Sequence, residues 1–145
     1  MTKGSTWIVL ADAGRARFFE RLKPKATMTE LEALDMDAPP VEQPGDRAPR
    51  VHDRQGDARH AIAPRQTPRE AAADHFLHAV AARINKAAAE GVFARLVICA
   101  PPRALGILRD GLADNAKRCV VAAIDKDLMH EPVKALQAHL DSLAP

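Results

Sequence analysis

Three acidic residues stand where chemistry could occur. Asp12 follows the apolar run Trp7-Ile8-Val9-Leu10-Ala11, and Asp125 and Asp127 follow a second apolar run, Cys119 to Ile124. Carboxylates clustered at the C-terminal ends of strands can hold Mg²⁺ for phosphodiester cleavage. That would make the chain a metal-dependent nuclease or esterase. A structural role competes at Asp12, because Asp12-Ala13-Gly14 reads as a tight turn, where Asp is favoured and Gly tolerates positive φ. If one strand separates the two acids, they stand roughly 9–10 Å apart, too far to share one ion.

The arginines form a second constellation. Residues 47–69 hold Arg47, Arg50, Arg54, Arg59, Arg65 and Arg69 against only Asp53 and Asp57, an excess of four positive charges in a chain whose net charge is +2. Guanidinium groups pair bidentately with phosphates and stack on bases. Arg47, Arg50, Arg54, Gln55, Arg59 and Arg65 are therefore candidates for contact with a ribosome or structured RNA. No aromatic residue interleaves them, which disfavours a single-strand stacking platform. A solvated loop kept hydrophilic by charge, or a protein-binding loop, is the competing reading.

Other candidates are narrower. Arg103 lies at a helix start after a central strand, where an anion could bind; a surface Arg near a helix cap is the simpler account. His75 and His78 are three apart on a helix, but two ligands without a third make a poor metal site. His52 and His60 flank the Gln55-Gly56 tip, while His130 and His139 are scattered. Cys99 and Cys119 fall at opposite ends of neighbouring strands, which excludes a disulfide. No cofactor is implied: the seven glycines form no phosphate loop, and no Ser sits in a nucleophile elbow.

The elements that must position these residues fit one domain. The chain has 145 residues, 47% apolar but only 3% aromatic, with no Tyr. That length supports a real core without staples, and the alanine-rich composition makes it tightly spaced. The longest apolar runs fall far short of the roughly 20 residues that span a bilayer, so no membrane role is expected. Met1 to Ser5 leads straight into a strand-like run, so no signal peptide is expected either, and the location should be cytoplasmic.

Trp7 to Ala11 reads as a central strand and Arg15 to Leu22 as a half-exposed second strand. Thr29 to Leu34 reads as a third, at an edge, with Glu30 and Glu32 on one face; a helix is the alternative there. Residues 36–67 read as one long mobile loop, because six of the 11 prolines lie between Pro39 and Pro68 and large apolar residues are scarce. Loops of that length are usually functional or disordered. Thr67-Pro68-Arg69-Glu70 is a capping box. It opens a helix with the stripe Phe76, Leu77, Val80, Ile84 and Ala88, ended by Gly91. Val92 to Ala100 is a fourth strand. A short helix follows Pro101-Pro102, through Leu105, Leu108 and Leu112. Cys119 to Ile124 is a fifth strand, and Pro132 opens a last helix with the face Val133, Leu136, Leu140 and Leu143. Hairpins followed by right-handed crossovers give a mixed α/β sheet of order 3-2-1-4-5, ribonuclease H-like, with helices after strands 3, 4 and 5. Trp7, Val9, Leu96, Ile98, Val120 and Ala122, or their alternates, should pack under the helices.

Three segments resemble a known family. Residues 7–19, from Trp7 to Phe19, resemble the opening of the bacterial host attachment protein family. Ala100-Pro101-Pro102-Arg103-Ala104-Leu105-Gly106-Ile107-Leu108-Arg109 resembles its second hallmark. Asp125-Lys126-Asp127-Leu128-Met129-His130, before a Pro-started helix, resembles the third. The resemblance implies kinship with bacterial and archaeal relatives of the middle domain of the class-one translation release factor. That domain inserts a long loop between strand three and the first helix, and its Gly-Gly-Gln tip promotes peptidyl-tRNA hydrolysis. Here the matching loop reads Val51-His52-Asp53-Arg54-Gln55-Gly56-Asp57-Ala58-Arg59-His60 and lacks Gly-Gly-Gln. The resemblance thus implies a non-catalytic, ribosome- or RNA-associated binding module. The family name adds a protein-interaction factor acting indirectly in attachment to host cells.

Overall fold

Two apolar runs that cannot face water on either side become the middle of a sheet. A computed structural model describes residues 4–23, 25–40 and 66–143. Strand β1 (Ser5–Ala11) is buried along nearly its whole length and pairs antiparallel with β2 (Arg15–Arg21) on one side. On the other side it pairs parallel with β5 (Phe93–Cys99), which pairs parallel with β6 (Val120–Ile124). The two short strands β3 (Thr29–Glu30) and β4 (Met36–Asp37) both pair antiparallel with β2. Among the described residues this makes a six-stranded sheet, ordered β3-β2-β1-β5-β6 with β4 beside β2.

Four helices complete it: α1 (Pro68–Ala89), α2 (Pro102–Gly111), α3 (Asp114–Lys117) and α4 (Val133–Leu143). The first three cover one face, where Trp7, Val9, Phe18, Leu96 and Ile98 pack under Phe76, Val80, Ile84, Leu108 and Ala116. Among the described residues the other face carries one helix, α4: Leu136 and Leu140, with Met28 and Met129, cover Ile8, Leu10, Phe19, Val97 and Cys99. Burying each large side chain contributes about 1.5–3 kcal/mol, so the helix-rich face dominates stability.

Helix α1 begins as its sequence dictates. Thr67 Oγ1 accepts from the Glu70 amide at 3.0 Å, and the Thr67 amide donates to Glu70 Oε1 at 2.9 Å. Its C-terminal end passes into Gly91 at φ +69°, the left-handed conformation that glycine adopts without strain. Where α2 ends against α1, Gly111 permits a close approach: a Cβ there would lie 3.0 Å from the Ala81 Cβ, a tight contact. Asn85 locks the same crossing, donating to the Gly111 carbonyl at 3.0 Å and accepting from the Ala113 amide at 2.8 Å.

Several expectations need correction. The third strand is two short pieces, because a 3-10 turn at Glu32–Leu34 interrupts it. Met36 and Asp37, read from the sequence as loop, are β4. The additional helix α3 lacks a side-chain N-cap, so no capping signal announced it. Val120 packs on the helix-rich face, but Ala122 faces α4. A register shift between Leu96 and Val97 sets one extra residue into β6, and a one-residue slip exchanges the faces. Val133 is 37% exposed, so of the predicted α4 face only Leu136 and Leu140 are seen to be buried.

Candidate functional site

β1, β5 and β6 are parallel, so their C-terminal ends lie along one edge of the sheet. β2 starts at that edge, and α1 and α2 start beside it. The hairpin turn there is closed by a side chain. Asp12 Oδ1 accepts from the amides of Gly14 at 2.8 Å and Arg15 at 2.9 Å, and the Asp12 amide donates to the Arg15 carbonyl at 2.9 Å. The expectation that Gly14 supplies positive φ is corrected: among the described residues those with positive φ are Gly4, Lys25 and Gly91. Asp makes its own turn by mimicking a backbone carbonyl, which removes the need.

Next to this turn lies a cleft of about 320 Å³ lined by Ala13, Gly14, Ala38, Pro39, Arg69, Ala72 and Ala73. The Ala38 amide donates to the Gly14 carbonyl at 2.8 Å. The same cleft thus holds Pro39, ahead of the Arg-rich segment, and Arg69, the last arginine of that segment. Arg47, Arg50, Arg54, Gln55, Arg59, Arg65, His52 and His60 lie outside the described residues.

Arg103, the candidate anion ligand, projects from the first turn of α2 toward α1. Its side chain is 63% exposed and its guanidinium pairs with Asp74 at 3.0 Å. Asp74 also accepts from Gln66, and its backbone carbonyl meets His78 Nδ1 at 2.8 Å. The structure therefore uses Arg103 to bridge the starts of two helices. Asp12 and Asp125 are not brought together: β5 lies between their strands, and strand spacing alone separates them by roughly 9–10 Å. Asp127 caps its own turn, accepting from the Met129 amide at 3.1 Å. Among the described residues no three His, Cys, Asp or Glu gather as metal ligands. Cys99 is buried and free, with burial raising its thiol to about 12, and Cys119 is also free.

A second cluster went unread in the sequence. A cleft of about 520 Å³ on the β2–β4 side is lined by Arg15, Arg17, Glu30, Glu32, Asp35 and Asp37. Arg17 donates twice to Glu30, Nε to Oε2 and Nη2 to Oε1, each at 3.0 Å. Its third bond goes to the Met129 carbonyl at 3.0 Å, and its guanidinium stacks 5.0 Å from the Phe19 ring centroid. Asp35 accepts from the Phe18 amide at 3.0 Å. The bonds from Arg17 pull Glu30 down to about 2, while burial and the neighbouring Glu30 push Asp35 up to about 6. Arg17 neutralises Glu30, while Asp35, buried beside that carboxylate, ionises reluctantly. The available signal was the run of acids at 30, 32, 35 and 37, which pairs with Arg15 and Arg17 only once the strands are in register.

The fold and its edge define a class: a mixed α/β domain whose polar turns and helix starts gather at one end of the sheet. Residues 7–140 match the family described as protein required for attachment to host cells, and the chain belongs to that family. No curated protein sequence matches it. Among the described residues no helix is long and apolar enough to cross a membrane.

Proposed function

We propose that this chain is a cytoplasmic, non-catalytic binding module with a ribonuclease H-like sheet of the release-factor middle-domain type. In this reading it contacts phosphates of a ribosome or structured RNA through Arg47, Arg50, Arg54, Arg59 and Arg65, with Gln55 at the tip. One observation carries the reading: Pro39, ahead of the Arg-rich segment, and Arg69, its last arginine, line one cleft at the C-terminal edge of the sheet. Arg69 adds a cation there on the first turn of α1, where the helix dipole also favours an anion. Arg103 is turned toward Asp74 and contributes less.

The test is filter binding to structured RNA, and co-sedimentation with ribosomes, across a salt series. Counterion release gives a slope of roughly 0.7 per neutralised phosphate on single strands. Changing Arg50, Arg54 and Arg59 together to Ala should weaken association and flatten the slope by about two. Asp12→Asn with Asp125→Asn should leave binding intact. A wild-type chain with no salt-sensitive association overturns the reading. The family description favours the second reading, a protein-interaction factor acting indirectly in attachment to host cells. It would then take the first one's place.

A further inference from the structure

Among the described residues β6 closes the sheet on the side away from β2 and is hydrogen-bonded only to β5. Val120-Val121-Ala122-Ala123-Ile124 contains no charge, proline or glycine. Charge and proline are devices that stop an edge strand from recruiting another. Such a strand does carry one irregularity, the extra residue near Val121, after which Ala122 to Ile124 run in regular register. Val121 is 54% exposed, Ala123 is exposed, and Ala122 and Ile124 are only half-buried. The charges sit just outside the strand and differ in sign at its two ends. Lys117 and Arg118 precede it, Asp125 and Asp127 follow it with Lys126 between them, and all five are exposed.

We propose that β6 is the contact edge of a homodimer, pairing antiparallel with β6 of a second copy so that the two sheets become one. Charge complementarity under two-fold symmetry favours this pairing. A two-fold axis relating adjacent edge strands reverses their direction, and every contact occurs twice. Reversal lays the Lys117–Arg118 end of each copy beside the Asp125–Asp127 end of the other. Parallel pairing would lay like charges together. The outward amides and carbonyls of β6 gain partners, and Val121 and Ile124 gain apolar cover. The same reversal puts the two C-terminal sheet edges at opposite ends of the dimer, so the two Arg69 clefts face away from each other. A contact of about five residues a side is smaller than a standard interface, so the dimer should dissociate on dilution.

Sedimentation velocity on the full chain, from low to high micromolar, reads this directly. The expected result is a concentration-dependent dimer. Val121→Lys sets two lysines near the axis and should leave only monomer, with an unchanged circular dichroism spectrum. Arg118→Asp alone should weaken the dimer, Asp125→Arg alone should weaken it, and the double exchange should restore most of it. These exposed charges carry no core area, so the exchange decides the matter even where Val121→Lys folds poorly. A chain monomeric at every concentration overturns the proposal. So does a dimer indifferent to all of these changes, because its contact would then lie elsewhere.

Discussion

The two edges of the sheet meet the same physical problem, a row of backbone groups with no strand beside them. On the β3–β4 side the chain breaks the edge into two-residue pieces around a 3-10 turn and lines it with Glu30, Glu32, Asp35 and Asp37. Two of those acids pair with arginines of β2: Glu30 with Arg17 at 3.0 Å, largely buried, and Asp37 with Arg15 at 3.6 Å, at the surface. On the β6 side the chain leaves five uncharged residues and keeps its charges beyond the strand ends. An edge that spends its polar groups on itself is closed. An edge that keeps them at its margins can use them on a partner. One sheet thus carries both a defended and an available border.

The centre of the sheet sets the scale for both. Ile98→Ala on β5, fully buried between β1 and β6, should cost about 2–5 kcal/mol in urea denaturation. The closed edge should come next. Glu30→Ala leaves the largely buried guanidinium of Arg17 with only the Met129 carbonyl, and about 2–3 kcal/mol should be lost. A loss below about half a kcal/mol would show that this edge is held by backbone pairing alone and not by its ion pair.

The closed edge should also give the fold a pH signature. Asp35 sits at about 6 in the folded chain, above its ordinary value, so its favourable contribution is complete below pH 4 and is lost as pH rises through 6. Glu30 sits at about 2, below its ordinary value, so its contribution is complete above about pH 4.5 and is lost as pH falls toward 2. Together they place the maximum for this edge near pH 4–5. Asp35→Asn should abolish the decline between pH 4 and 6 in melting-temperature profiles, while leaving the decline at lower pH.

Smaller effects separate the borders further. Asp12→Ala removes two bonds to backbone amides at an exposed turn and should cost about 1 kcal/mol. Val121→Thr on β6 removes no packed contact and should change monomer stability by less than about 0.5 kcal/mol. A larger loss at Val121, measured at a concentration where the chain is monomeric, would mean that β6 is held in place by more than β5.

Much of the architecture was legible because it rests on local chemistry. The capping box at Thr67, the prolines before α2 and α4, and the apolar runs of β1 and β5 each act within a few residues, and each forms where the sequence places it. The site was legible in part. Asp12 at its turn and Arg103 at its helix start stand where expected, yet their partners do not follow from spacing. Asp74 is 29 residues from Arg103, and the two meet only because α1 and α2 begin at one sheet edge.

By itself, then, the sequence determined the class of fold, the positions of the main helices, the apolar strands and the concentration of positive charge in residues 47–69. Those properties follow from periodicity, capping and composition, which need no distant neighbour. Tertiary structure alone decided three things. It turned Ala122 to the other face, because the extra residue in β6 is visible only against β5. It made Glu30 and Asp35 unequal, because a single arginine on β2 reaches Glu30 and burial reaches Asp35. And it left β6 with one neighbour among the described residues, because strand order follows from how the crossovers pack, which no residue within the last strand specifies.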